Sequence, residues 1–184
     1  IDGISMAEYN RSEVRKLYGY VSQDIFLFSD SIRNNVLFGR NSDDDLQHLN
    51  QSIVTAGLAE EIESFPNGLE TVLGERGITL SGGQKQRTAI ARALIKKPKI
   101  LLIDDGLSAV DTKTEVEIKN SLAQWNINQT FINISHRISS VQDCKDIVVL
   151  NKGEIIEKGS HSELLLIGEI YKELYIMQMT HNEV

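Results

Sequence analysis

The sequence has a single cysteine, no long apolar run and no linker-like stretch, and each absence excludes a class of protein. Cys144 has no partner for an intramolecular disulfide and no neighbours at metal-ligand spacing, which favours a small, partly buried side chain in a reducing compartment. No segment of about 18 apolar residues occurs, and the N-terminus has neither the basic flank nor the apolar stretch of a signal peptide. We therefore expect any association with a membrane to come from a partner or from another segment.

Positive charge is scarce as well. The 184 residues include 26 aspartates and glutamates against 19 lysines and arginines, which gives a formal net charge of −7. This balance argues against a general affinity for the phosphate backbone of nucleic acids. By contrast, 41% apolar and 24% charged residues are typical of a folded globular protein, and the length suits about one domain with a hydrophobic core.

The order of apolar runs and helical periods predicts an α/β fold in three zones. Residues 1–40 read as sheet material, residues 41–97 are mostly helical, and residues 98–184 alternate strands and helices. The alternation in the third zone indicates a sheet with right-handed crossovers. The predicted elements are strands at 18–22, 100–103, 130–134 and 147–150, a capped helix at 31–36, a helix from 43 through 56, turns at 66–68 and 151–154, and a mostly helical tail from 162.

A serine and two glycines begin the strongest helical pattern of the chain. Ser81, Gly82 and Gly83 precede Gln84, and the pattern runs on to Leu94. The free N–H groups and the dipole of such a helix start can face an anion without side chains in the way, which predicts a phosphate site. The alternative is an ordinary serine-capped helix with a glycine-rich first turn, and on the glycines alone the two interpretations are equally favoured.

Two carboxylates end the apolar strand at 100–103. A carboxylate at the C-terminal tip of a parallel strand lies where α/β sheets bind ligands, and there Asp104 could hold Mg²⁺ directly or through water. Asp105 could then face a water aligned on a terminal phosphate. The alternative is that both acids cap the following helix, or that Asp104 is a solvated strand end, and an isolated Asp-Asp pair favours that alternative.

Two further polar residues follow predicted strands. His136 comes just after the strand at 130–134 and could donate to a phosphate oxygen. Gln23 follows the strand at 18–22, and its amide could reach Mg²⁺ or a water. Taken alone, His136 is more often a surface histidine, and Gln23 carries almost no information.

Together and in this order, the motifs resemble those of the ATP-binding domain of ABC transporters. Leu80–Gln84 is similar to the ABC signature motif, Ile100–Asp104 to the Walker B strand, and Ser108–Asp111 to the D-loop. His136 is similar to the switch histidine and Gln23 to the Q-loop glutamine. The resemblance covers essentially the whole chain and implies the P-loop NTPase fold, a RecA-like parallel sheet with a helical subdomain.

The same resemblance implies ATP and Mg²⁺ as ligands, bound between two such domains. One domain would supply Asp104 and Gln23 for the metal and Asp105 and His136 for catalysis, while the other would supply the signature helix. ATP binding would close the dimer and hydrolysis would release it. The implied ATP-binding residues are Gln23, Ser81, Gly82, Gly83, Gln84, Asp104 and Asp111.

Two stretches resemble the exporter-type domains in particular, at 21–36 and at 74–77. In exporters these regions abut the coupling helices, so the Gln23 loop and the region of Glu75 are expected to contact transmembrane domains at the cytoplasmic face of the cell membrane. The three zones would then be a sheet subdomain with the Q-loop, a helical subdomain with the signature, and a second sheet part with the Walker B strand, the D-loop, the H-loop and the C-terminal helix.

Two features depart from the family pattern. No Gly-Lys dipeptide occurs, so the phosphate-binding motif G-x-x-x-x-G-K-S/T is absent. Because the family places this loop upstream of a segment resembling Ile1–Ser5, we expect the chain to be a truncated form that lacks the loop and binds ATP weakly or not at all by itself. Where active members usually carry glutamate, this chain has Asp105, which is one methylene shorter and would hold the attacking water less well.

These departures leave three functions open on the sequence. The leading one is an ATPase domain coupled to export, in a homodimer or a heterodimer. Asp105 adds the hypothesis that the chain is the degenerate-site half of an asymmetric heterodimer. The second is a nucleotide-gated dimerisation module with little hydrolysis of its own. The third, a soluble ABC-type ATPase of DNA repair or translation, would need coiled coils, a tandem domain or a basic face, and the sequence has none of these. The transported substrate would be selected by membrane helices, so this sequence does not indicate it.

Overall fold

The computed structural model describes residues 1–38, 40, 43–74, 79–125 and 129–181. For residues 43–45, 47 and 181 it describes the backbone alone. The chain divides into two compact units, Ile1–Ile132 and Asn133–Val184. Helices and strands alternate along it, so the predicted α/β class is confirmed. The functional division at residues 40 and 97 stays a prediction.

The first unit consists of helices around a small sheet. Its elements are, in chain order, α1 (Arg11–Leu17), β1 (Tyr18–Val21), α2 (Ile32–Val36), α3 (Asp43–Thr55), α4 (Ala59–Ser64), α5 (Gly82–Leu94), β2 (Ile100–Asp104), α6 (Thr112–Trp125) and β3 (Thr130–Ile134). The last residues of β3 belong to the second unit. These bounds confirm the predicted strands at 18–22, 100–103 and 130–134 and the predicted helices beginning near 31, 43 and 82.

The sheet has the strand order β1-β2-β3, and its central strand β2 pairs in parallel with β1. The register runs from Tyr18 opposite Ile100 to Val21 opposite Ile103. Gly19 makes the close packing behind β1 possible, since a Cβ there would lie 2.8 Å from the Pro98 Cγ atom. Parallel pairing brings the carboxyl ends of β1 and β2 to the same edge of the sheet.

Helix α5 is the centre of the first core. Its buried face includes Ile90 and Leu94, which pack in one apolar cluster with Leu101 and Ile103 of β2 and Ile118 of α6. Complete burial of a side chain of this size stabilises a fold by about 1.5–3 kcal/mol relative to exposure. The helix is therefore held along its length, and its first turn has a fixed position in the unit.

The second unit has a small core of its own. Its elements are α7 (Ile138–Val141), β4 (Ile147–Asn151), β5 (Glu154–Gly159), α8 (His161–Ile167) and α9 (Ile170–His181). Ile138, Ile147, Leu164 and Tyr171 are buried together. The predicted turn at 151–154 is confirmed, because Lys152 and Gly153 both have positive φ, 49° and 84°, as in tight hairpin turns.

One detail of the sheet differs from the sequence-based expectation. The third strand of the predicted alternation, β4, pairs with β5 in a separate antiparallel two-stranded sheet. The physical reason is the short turn between them, which folds the chain back directly, whereas a parallel pairing needs a long crossover.

The described helices are short compared with a lipid bilayer. The longest of them, α6, has 14 residues, and a membrane-spanning helix needs about 20 predominantly apolar ones. Within the described ranges, then, every helix falls short of the length and apolarity required to cross a membrane.

Candidate functional site

The predicted magnesium ligands lie at one edge of the sheet. Gln23 follows the end of β1, and Asp104 is the last residue of the neighbouring parallel strand β2. Gln23 is exposed and Asp104 is half-buried. The structure thus brings both predicted ligands to the carboxyl edge, where α/β sheets bind ligands.

Tyr20 contacts the same carboxylate, and the sequence analysis missed it. Its hydroxyl donates to the Asp104 Oδ2 atom at 3.4 Å from the adjacent strand. Desolvation, together with the negative charge of Asp104 and this hydrogen bond, raises the pKa of Tyr20 above its ordinary value. Because side chains alternate between the two faces of a strand, Tyr20 points away from the face on which Val21 is buried. This exposed tyrosine in an otherwise buried or half-buried strand is the sequence signal that could have identified the contact.

The donor set at this edge fits Mg²⁺ bound mainly by phosphate and water. Among the described residues, no three carboxylate, histidine or cysteine side chains lie close enough to hold a metal ion by themselves. Magnesium commonly uses one or two carboxylates and completes its shell with substrate phosphates and water. An Asp104 carboxylate oriented by Tyr20, with the Gln23 amide at the same edge, suits that kind of site.

Asp105 occupies an unusual backbone conformation directly after β2. Its φ of 48° lies in the left-handed region, which aspartate tolerates better than most residues with a side chain. Its carbonyl accepts from the Ser108 N–H at 3.2 Å and from the Ser108 hydroxyl at 2.8 Å. Gly106 is required in this turn, because a Cβ there would lie 2.8 Å from side-chain atoms of Val21 and Ile103.

Gln86 joins helix α5 to this turn. It is only 5% exposed, and its Nε2 donates to the Ser108 hydroxyl at 3.0 Å while its Oε1 accepts from the Ala109 N–H at 2.9 Å. The same Nε2 lies 3.4 Å from the Asp105 carbonyl. A glutamine on the buried face of a helix, one turn before Ile90, is the sequence signal that could have identified this contact.

The predicted signature motif forms a capped helix start. The Ser81 hydroxyl accepts from the Gln84 N–H at 3.2 Å, and Gln84 Oε1 accepts from the Ser81 N–H at 3.0 Å. This reciprocal capping box is the serine-capped helix start that the sequence offered as the alternative to a phosphate site. It is compatible with a phosphate site, because the N–H groups of Gly82 and Gly83 at the first helical positions have no acceptor within the helix.

The two glycines also have a packing role. A Cβ on Gly82 would lie 3.2 Å from the Ala109 Cβ atom, and one on Gly83 would lie 3.0 Å from the Ala109 carbonyl oxygen. Side chains at either position would therefore press against the turn after β2. The signature and the predicted D-loop of the same chain are in contact.

Asp111 and His136 have structural contacts that leave their predicted roles open. The Asp111 carboxylate accepts from the Thr114 N–H at 3.0 Å at the start of α6, and this hydrogen bond lowers the pKa of Asp111. His136 belongs to the second unit, has an exposed side chain, and accepts a hydrogen bond at its carbonyl from Gln178 at 2.7 Å. Binding of ATP by Asp111 and catalysis by His136 stay predictions.

The segment after Gln23 is fixed by two residues that sequence analysis passed over. The buried Asn35 bonds both the N–H and the carbonyl of Phe28, at 2.8 and 3.0 Å. Arg92 of α5 donates to the Phe26 carbonyl at 2.8 Å and to the Asn35 side chain at 2.9 Å, and burial lowers the pKa of Arg92. Phe26 itself is 67% exposed.

This segment lines a groove on the first unit. The groove is formed by Ile25, Phe26, Leu27, Phe28, Leu73, Gly74, Thr79, Leu80 and Lys85. It thus lies between the loop after β1 and the residues that lead into the signature. The predicted contact region around Glu75 lies outside the described residues.

Comparison with known proteins agrees with these observations. The family model described as "ABC transporter" matches residues 1–108. ATP-binding cassette sub-family B member 6 of Xenopus tropicalis is 43% identical over 183 residues, which cover 100% of this chain and 21% of that protein. An ATP-dependent lipid A-core flippase of Pasteurella multocida is 40% identical over 181 residues, covering 98% of this chain and 31% of the flippase.

A solved structure shows the same fold. It is the structure of a bacterial Atm1-family ABC exporter with ATP bound, which matches 97% of this chain with a TM-score of 0.91 and 40% sequence identity. The match covers 31% of the exporter chain, so this chain spans no more than about a third of the relatives described here. On its family match, its identity to these relatives and its fold, the chain belongs to the ABC transporter family.

Proposed function

We propose that this chain is part of the ATP-binding domain of an ABC exporter and couples ATP binding and hydrolysis to transport across a membrane. The observation that carries the proposal is the sheet edge at which Gln23, Asp104 and Asp105 lie at the carboxyl ends of two neighbouring parallel strands. The Atm1-family exporter and the lipid A-core flippase to which the chain is similar support a role in export.

At this edge, Asp104 and Gln23 would hold Mg²⁺ on the phosphates of ATP, and Tyr20 would keep the Asp104 carboxylate oriented. The metal, when bound, neutralises charge on the phosphate oxygens. Asp105 would orient the attacking water and accept a proton from it. His136 would donate to the terminal phosphate, a role that rests on its resemblance to the switch histidine.

The signature helix would act on ATP held by a second ATP-binding domain, from the same or a different polypeptide. The N–H groups of Gly82 and Gly83 and the hydroxyl of Ser81 would face that nucleotide's terminal phosphate, since helix starts attract anions. Gln84 would keep the turn in its capped form, and Asp111 would bind from the D-loop. ATP would thus shift the population of the two domains toward the closed dimer.

The groove beside the Phe26–Phe28 segment would receive the transmembrane domains. Its walls include exposed aromatic surface, and Arg92 ties its backbone to the helix that begins with the signature. A change at the signature would then reach the groove through α5. The domain would then lie at the cytoplasmic face of the membrane, with the Gln23 loop and the Glu75 region as proposed contacts.

The second candidate is a nucleotide-gated dimerisation module, and Asp105 is the observation that favours it. An aspartate in place of glutamate would bind nucleotide far better than it supports hydrolysis. In an asymmetric heterodimer both descriptions hold, because this chain's signature would complete the partner's active site while its own site stays slow.

The proposal is tested by complementation between two inactive variants of the longer protein that contains this chain. Asp104→Asn removes the metal ligand of a chain's own site, and Ser81→Asp keeps a good helix cap but places a charge against the partner's phosphate. Co-expressed with different affinity tags and purified as the mixed dimer, the two variants are expected to form one intact site and recover ATP hydrolysis.

Each variant is the control for the other, since its own homodimer contains two damaged sites. Recovery in the mixed dimer alone supports the sandwich arrangement. If either homodimer hydrolyses ATP like an active unmodified protein, or if the mixture stays as slow as both while the unmodified protein is active, the proposed site is wrong. ATP-dependent closure without hydrolysis in the unmodified protein would favour the dimerisation module.

A further inference from the structure

The loop that carries His136 is clamped by a side chain from the last helix of the described chain. Gln178 of α9 donates from Nε2 to the His136 carbonyl at 2.7 Å, and its Oε1 accepts from the Ile138 N–H at 2.9 Å. These two bonds hold the peptide groups on both sides of Arg137. One planar amide therefore fixes the backbone that determines where the exposed His136 ring can lie.

The clamp is attached to a firmly held helix. Tyr171 of α9 is buried in the core of the second unit, and Tyr175 and Gln178 follow four and seven positions later, on the same helix face. The start of α9 is held by Glu157, whose carboxylate accepts from three successive N–H groups, those of Glu169, Ile170 and Tyr171, at 2.8, 2.8 and 3.0 Å.

The loop itself depends on such outside bonds. Arg137 is the N-cap residue of α7 and makes no side-chain cap. The Ile138 N–H, at the first helical position, has no acceptor within the helix, and the Gln178 oxygen supplies one. On the other side of the turn, the Ser135 hydroxyl accepts from the Arg137 N–H at 3.0 Å. Without Gln178, the His136 carbonyl loses its described partner.

We propose that Gln178 is a positioning residue for His136 in ATP hydrolysis. The inference rests on the proposed function, because it assigns Gln178 a role only through that histidine. A displacement of about 1 Å at a catalytic group can cost on the order of 10²-fold in rate. Loss of the clamp is thus expected to lower kcat by at least about tenfold, while the KM for ATP stays within about twofold because His136 acts on the phosphate under attack.

The first test is a double-mutant cycle in the longer protein that contains this chain. Gln178→Leu removes both hydrogen bonds, and Gln178→Glu keeps the acceptor for Ile138 but cannot donate to the His136 carbonyl. Thr180→Val is the matched control on the same helix, since the Thr180 hydroxyl bonds only to carbonyls of the preceding turn, 3.0 Å away. We expect both Gln178 variants to lower kcat and Thr180→Val to leave it unchanged.

In a His136→Ala background, the Gln178 substitutions are expected to cost nothing further. If His136→Ala leaves turnover intact, the catalytic role in the proposed function is wrong. If it abolishes turnover while Gln178→Leu and Gln178→Glu behave like the unmodified protein, only the present inference is wrong. An equal loss from Gln178→Leu with and without the histidine would show a merely structural role and would also overturn it.

A second measurement does not depend on catalysis. In the 184-residue chain, the imidazole resonances of the four histidines can be recorded by NMR, and the His136 signal identified by its absence from His136→Ala. Gln178→Leu is expected to shift or broaden that signal and to leave His161 unchanged. An unaltered His136 signal would contradict the clamp.

Discussion

At the scale of single residues, Asp105 combines a left-handed backbone with a short side chain. We predict that Asp105→Glu raises ATP turnover of the longer protein by about 10- to 100-fold, because the carboxylate then reaches the water that aspartate holds out of line. The left-handed conformation should cost the variant no more than about 1–2 kcal/mol of stability. Phosphate release under saturating ATP is the measurement.

Asp105→Asn is the control for this change, since it keeps the size of the side chain and removes the carboxylate. It should not accelerate hydrolysis. Equal turnover by the unmodified homodimer and its Asp105→Glu version would end the hypothesis of a degenerate site.

Asp111 provides a second prediction at this scale, about pH. The hydrogen bond from the Thr114 N–H lowers the pKa of the folded carboxyl below its ordinary value of 3.8. Its stabilising contribution is therefore complete above the ordinary pKa and is lost as the pH falls through the lower folded value. Asp111→Asn should remove that pH dependence but keep a good helix cap, because asparagine caps helices as well as aspartate does.

The measurement is urea unfolding of the chain at neutral and acidic pH, followed by the fluorescence of its one tryptophan, Trp125, which packs against the first core. The stability difference between the chain and Asp111→Asn should shrink in acid. If the stability difference stays constant across this pH range, the lowered pKa of Asp111 does not contribute to folding stability and the prediction is wrong.

At the scale of elements, Gln86 links α5 to the turn after β2. Gln86→Leu leaves the Ala109 N–H without its acceptor, and an unsatisfied group of this kind costs about 1–3 kcal/mol. We predict a loss of stability of that size in urea unfolding, together with slower hydrolysis in the longer protein. Gln84→Ala is the control for the stability measurement, because the described side-chain bond of Gln84 is the one in the capping box and its loss should cost about 1 kcal/mol or less.

The elements were largely predictable from sequence, while the bonds between them were not. Apolar runs and capping residues indicated β1, α2, β2 and the hairpin after β4, since those signals are local. Gln86, Arg92 and Gln178 escaped because each bonds a backbone group far away in the chain, and nothing in a local pattern marks such a partner. The predicted site residues were identified from family motifs, and such motifs do not indicate which other side chains hold those residues in position.

At the scale of the whole molecule, the missing phosphate-binding lysine should dominate nucleotide affinity. We predict that the 184-residue chain binds Mg-ATP weakly by titration calorimetry, and that a version extended upstream by a G-x-x-x-x-G-K-S/T loop binds it well, because the lysine meets the outer phosphates. Asp104→Asn in the extended version is the control and should reduce Mg²⁺-dependent binding. If the 184-residue chain binds Mg-ATP tightly, the phosphates of ATP are held by other residues than those proposed.

The contact of Gly82 and Gly83 with Ala109 has a consequence for how this protein can evolve. Two motifs separated in sequence share one small volume, so a side chain added at 82 or 83 would press against Ala109 even though the sequence of the turn after β2 was unchanged. Natural variants at these positions should therefore be inherited as compatible sets. Swapping one motif between homologues without the other should produce proteins that fold but in which the start of α5 and the turn after β2 no longer pack as they do here.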